Sequence, residues 1–191
     1  MSDPMIDATW CRAHYACYGD LRLARLFDRP MTLLEVLTRR DGPWWRVPAA
    51  DRLWVFFRAA PEPLRMRVAD RAADRQVRAH CLHCGAPTVE RWAARWLSGE
   101  DRSVATAWLA TDAVQGAWRA CSEPARGSLW SAAASATWAA WWAGALVAAR
   151  AATLAAATAS KQSEQARRVE RLAQLADAIE VLAARAKRKA T

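Results

Sequence analysis

The stretch from Gly127 to Ser160 constrains this chain more than any other. It reads Gly-Ser-Leu-Trp-Ser-Ala-Ala-Ala-Ser-Ala-Thr-Trp-Ala-Ala-Trp-Trp and continues, almost all alanine, with Arg150 as its only charge. Alanine loses no side-chain entropy on entering a helix, so the stretch predicts one long helix. At about 100° per residue, Trp130, Trp138, Trp141 and Trp142 share one face, and Leu129, Val147 and Leu154 lie near the opposite one. A helix that is apolar on two sides belongs inside something, and its small Ala and Ser positions let neighbouring helices approach closely.

That interior is either a protein core or a bilayer. No charge lies between Arg126 and Arg150, and a span needs only about 20 apolar residues. Alanine adds little to insertion, however, and few Leu, Ile, Val or Phe offset the Ser and Thr. Cations on both flanks also remove any orienting asymmetry. The expectation is therefore the central helix of a soluble domain, with a small membrane-associated helical protein as an alternative.

The rest of the chain supplies helices to surround it. Leu23, Leu26 and Phe27 share a side before Pro30, and Leu33, Leu34 and Leu37 follow. Asp41-Gly42-Pro43 signals a turn, after which Trp44-Trp45-Arg46-Val47-Pro48 reads as a short extended link. Leu53, Trp54, Phe56 and Phe57 show the spacing of a buried helical face. Pro61-Glu62-Pro63 opens a helix that Gly85 stops, and Trp92 and Trp96 share a face of the next, ended by Gly99. Val104, Trp108, Leu109, Val114 and Trp118 belong to another. Beyond Ser160 the composition turns charged, with an a/d seam of Leu172, Leu175, Ile179 and Leu182 and a basic tail expected to fray. No strand pattern occurs. The fold class expected is all-α: a single helical domain of about six or seven helices around the Ala/Trp-rich helix. Its helical core domain spans 1–160, and 161–191 form a charged C-terminal helical extension. Twelve Trp, against three Phe, supply the bulk that alanine lacks.

The formal charge of +9 points to an acidic partner: nucleic acid, an anionic surface or an acidic protein. The start Met1-Ser2-Asp3-Pro4 has no apolar segment of the signal-peptide kind. A cytoplasmic location follows as the expectation, with the five cysteines as thiols in a reducing compartment.

Four groups of residues are candidates for chemistry or contact. His80-Cys81-Leu82-His83-Cys84 carries the two-residue cysteine gap of a zinc knuckle, and Cys11, His14 and Cys17 would complete a shell. One such pair without a matching second falls short of a zinc signature, so no metal is expected, and zinc on those seven residues is the alternative. A cysteine nucleophile with a histidine base uses the same residues but needs hydrogen-bond geometry. With no phosphate-binding glycine loop, no HExxH and only three His, the expectation is a protein without enzymatic activity or cofactor. Arg67, Arg71, Arg75 and Arg78 form a stripe, interleaved with Asp70 and Asp74, that would meet a partner. Trp44 and Trp45 would anchor one, because Trp is favoured at binding hot spots. For the nucleic-acid alternative the tail cations Arg185, Lys187, Arg188 and Lys189 are the candidates, without an aromatic among them to stack a base.

Leu129–Ala159, followed by Gln165, Arg168, Glu170-Arg171-Leu172 and Leu175, resembles a bacterial immunity-protein family of Ala/Trp-rich helical chains. Ala50-Asp51-Arg52-Leu53-Trp54, the Cys81 region and Arg91–Glu100 sit in matching order upstream. The resemblance implies a cytoplasmic helical protein that neutralises a toxin by binding it, and it brings no catalytic residues. Immunity proteins facing basic nuclease toxins are commonly acidic; this chain is basic, which argues against a nuclease target. The function expected from the sequence is thus a non-enzymatic protein-binding module, which the resemblance implies to be of the immunity type. The alternatives are a basic nucleic-acid-associated protein and a membrane-associated one.

Overall fold

A computed structural model describes residues 4–14, 16–120, 124–144 and 164–190, apart from the side chains of 118, 124–130, 143–144 and 189–190. The fold is all-α. Nine α-helices stand among the described residues: α1 Ala8–Ala13, α2 Asp20–Leu26, α3 Leu33–Thr38, α4 Ala49–Ala59, α5 Glu62–His80, α6 Pro87–Ser98, α7 Val104–Arg119, α8 Pro124–Gly144 and α9 Glu164–Ala190. The one β feature among the described residues is an isolated bridge, in which the Ile6 and Met31 amides donate to each other's carbonyls at 2.7 and 2.8 Å. No described helix is long and apolar enough to cross a membrane. The boundary expected at residue 160 lies outside the described residues. The chain divides into two compact units, 1–65 with 175–191, and 66–174.

In the first unit, local chemistry sets the short helices. Asp7 caps α1 by accepting from the Trp10 amide at 2.7 Å. Thr32 and Glu35 form a reciprocal capping box that starts α3. Gly42–Arg46 is a 3-10 helix that takes in Trp44–Arg46 of the extended link expected over Trp44–Pro48, because Pro43 presets a helical φ just after Asp41-Gly42. The core of this unit collects Ile6, Leu23, Leu26, Met31, Val36, Leu37, Trp44, Leu53 and Phe56.

In the second unit, Gly99 ends α6 with φ +81°, a left-handed conformation that any β-carbon would strain. Ser103 opens α7 by accepting from the Thr106 amide at 3.2 Å. α7 packs along α8. The buried side of α8 is its small-residue side, Ala132, Ala133, Ala136, Thr137, Ala139 and Ala140. Trp138, Trp141 and Trp142 are only half-buried. Close approach explains the choice: the Cys81 thiol reaches the Ala133 carbonyl at 3.7 Å, which a larger inward side chain would prevent. The continuation past Gly144, with Val147 and Leu154, and the side chain of Trp130 lie outside the described residues.

α9 departs from its expected seam. Leu172 is exposed, whereas Glu170, Gln174, Leu175, Ala178, Val181 and Leu182 are buried. The stripe that turns inward thus includes polar residues that hydrogen bonds make tolerable there. The helix also continues to Ala190 rather than fraying from Arg185.

Candidate functional site

The cysteine and histidine residues do not share one helical face. α1 ends at Ala13, so Cys17 falls beyond it in an exposed bend while Cys11 is buried. His14 stacks on Trp10 with ring centroids 4.0 Å apart and places Nδ1 2.8 Å from the Trp10 carbonyl. α5 ends at His80, leaving Cys81 and Cys84 buried in the following turn and His83 exposed. No group of three or more His, Cys, Asp or Glu among the described residues gathers closely enough to hold a metal ion. Burial pushes the Cys81 and Cys84 thiols above their ordinary value and the Cys11 thiol to about 11. Burial also lowers His80, disfavouring its charged form. A raised thiol is the opposite of an activated nucleophile. In timed alkylation at pH 8 read by peptide mapping, Cys17 should be modified before Cys11 and Cys84, and Cys81 only on unfolding. Early modification of Cys81 would refute this packing.

The Trp44-Trp45 pair is split. Trp44 is a core residue whose Nε1 donates to the Leu26 carbonyl at 2.6 Å and whose ring meets Phe27 edge-on. It has no surface with which to anchor a partner. Trp45, one residue on in the 3-10 helix, is 65% exposed with the Arg46 guanidinium over its ring. Beneath them lies a residue that sequence reasoning passed over. Arg52 is fully buried and donates to four carbonyls: Val47, Val36, Leu37 and Trp44. An arginine in an amphipathic helix gives no sequence signal for such burial.

The Arg67/Arg71/Arg75/Arg78 stripe is not a uniform surface. Arg67 and Arg78 are exposed, while Arg75 grips the buried Glu170 through Nε at 3.1 Å and Nη2 at 3.0 Å. Asp74 accepts from Trp96 Nε1 and Arg102 Nη2, both at 2.9 Å. Burial raises the Asp70 carboxyl. Of the tail cations, Arg185 is half-buried, Lys187 and Arg188 are exposed, and the Lys189 side chain lies outside the described residues.

Exposed large apolar side chains of the second unit stand on α9, at Val169 and Leu172, and on α7, where they adjoin the indoles. Val104 and Trp108 lie one turn apart with Leu109 beside them, and Trp108 and Leu109 are 48% and 64% exposed. The Trp108 ring meets Trp138 edge-on at 5.6 Å and Trp141 at 5.7 Å, and Trp141 meets Trp142 at 4.4 Å. The indole cluster expected on α8 is therefore completed from α7. Beside Leu109, a depression of about 350 Å³ opens between α6 and α7, with Arg91, Trp92 and Arg95 on one wall. Arg95 is engaged by Glu100 at 3.0 Å and Asp101 at 3.5 Å, whereas Arg91 is exposed. A half-buried aromatic cluster next to an exposed leucine, with a cation-lined depression on that leucine's other side, is the chemistry of a contact surface. No protein-family model, curated protein or solved structure matches the chain.

Proposed function

We propose that this chain is a non-enzymatic, stoichiometric protein-binding module whose partner covers the exposed face of α7. The observation that carries the reading is Trp108, held on Trp138 and Trp141 yet 48% exposed beside the exposed Leu109. Covering apolar surface contributes roughly 25 cal/mol per Å². An indole fixed by its neighbours also loses little conformational entropy when a partner docks. Arg91 at the rim and the net charge of +9 favour an acidic partner. Neutralising a toxin in the cytoplasm, the role implied by the immunity-type resemblance, is the specific form we propose.

The test is a photo-crosslinking amino acid at position 108, with Arg25 on exposed α2 as the control position, in the native host. One discrete protein adduct at 108 and none at 25 is expected. With that partner purified, Trp108→Ala should weaken binding by about 30-fold or more, the effect of a hot-spot residue. The variant should lose some stability with its contacts to Trp138 and Trp141 but keep the parent's helical circular dichroism, so that binding is compared between folded proteins. Identical adducts at both positions, or unchanged affinity in Trp108→Ala, would remove this face from the function.

A further inference from the structure

The first unit holds a cavity of about 210 Å³ that no part of the reading above uses. Its walls include Leu23, Leu26, Phe27, Val36, Val47 and Val55. Protein interiors are close-packed, and voids larger than a water molecule are few. Apolar cavities of only about 150 Å³ bind benzene. A void of the present size thus has room for a single-ring or fused two-ring molecule.

The polar groups on the lining restrict the ligand further. Tyr18 donates a short hydrogen bond to Asp51, and both line the cavity. The Arg22 guanidinium sits 3.8 Å from the Tyr18 ring centroid and holds that ring from its face. A carboxyl group has acceptor capacity for more than the one Tyr18 proton. Arg52 also lines the cavity, its donors directed at four carbonyls. Asp51 opposes an anionic ligand and the buried Arg52 cation opposes a cationic one. An uncharged ring carrying one hydrogen-bond donor satisfies both, with the donor directed at Asp51 and the ring against Phe27 and Trp44. This is the usual composition of a small-molecule site, apolar walls with a few convergent polar groups.

We infer that this cavity is a binding site for a small, neutral aromatic molecule with a single N–H or O–H donor, of phenol to indole size. The site belongs to the first unit and stands independently of the α7 contact face.

Indole, phenol, benzoate and benzylamine are the probes, titrated into the full chain by calorimetry and ligand-observed saturation-transfer NMR. Indole or phenol should saturate one site with a Kd of about 10⁻⁴ M, reasonable for a ligand of about nine heavy atoms. Benzoate and benzylamine should bind at least tenfold more weakly. Ala50 lies at the exposed rim of the cavity, so Ala50→Trp should block entry without disturbing the core. Val47→Phe fills the cavity from within and serves if the rim variant folds poorly. Both should weaken indole at least tenfold, and Trp108→Ala should leave it unchanged. Absence of saturable binding, or binding that survives both blocking variants, would overturn the site. Benzoate or benzylamine binding as tightly as indole would overturn the assigned ligand class.

Discussion

Arg52→Met will destabilise the protein by about 3–5 kcal/mol, the cost of leaving several buried carbonyls without their donor less the desolvation relieved. The helix α3 is only six residues long, and its last carbonyls have no intrahelical partner. Arg52 Nη1 donates to two of them, Val36 at 2.8 Å and Leu37 at 3.3 Å. Nε donates to Val47 at 3.2 Å, and Nη2 to Trp44. One guanidinium therefore terminates two helices, and its positive charge suits the negative ends of both. Its burial is not free: loss of solvent lowers the guanidinium to about 10. Methionine would relieve that desolvation but leave the Val36, Leu37 and Val47 carbonyls short of that donor, each costing about 1–3 kcal/mol if water does not reach it, while the Trp44 carbonyl keeps the Val47 amide. The carbonyls outweigh the relief. Arg52→Lys should recover only part of the loss, because an ammonium has three donors and no planar fork. Urea unfolding followed by circular dichroism measures both variants. A midpoint for Arg52→Met equivalent to the parent within about 0.5 kcal/mol, the size of an ordinary surface change, would contradict this role.

Glu170→Ala should cost a similar amount, about 3–4 kcal/mol, for the same reason with the charge reversed. Glu170 is 5% exposed and accepts from Arg75 through two nitrogens, from Gln76 at 3.1 Å and from Gln174 at 2.9 Å. These bonds join α5 to α9 across about 95 positions of sequence. Removing the carboxylate leaves Gln76, itself buried, without that acceptor. Glu170→Gln keeps the shape but loses the charge assistance and should fall between, near 2 kcal/mol. A double-mutant cycle with Arg75→Met isolates the pair; a coupling below about 0.5 kcal/mol would show that the two glutamines, and not Arg75, hold Glu170. Arg75 is a third exposed, so solvent moderates its share.

The elements that were legible from the amino-acid order are those set within one or two helical turns. The all-α class follows from alanine content and three-to-four spacing. The Pro61-Glu62-Pro63 start and the Gly99 stop depend on φ preferences of the residues themselves. Trp92 and Trp96, four apart, are both buried, as their spacing implied. Periodicity grouped the α8 indoles correctly, but both sides of that helix were apolar. Only the close approach of the Cys81 turn and the packing of α7 decided that alanine faces inward and tryptophan stays half in water. Trp44 and Trp45 are neighbours of identical type; an acceptor at Leu26, supplied by a different helix, separates core from surface. Arg52 and Glu170 read as ordinary charges of amphipathic helices, and their partners lie between 4 and 95 residues away. Burial of a polar group depends on whether the assembled fold offers it hydrogen bonds. That information lies in the juxtaposition of distant segments, beyond the reach of any local pattern.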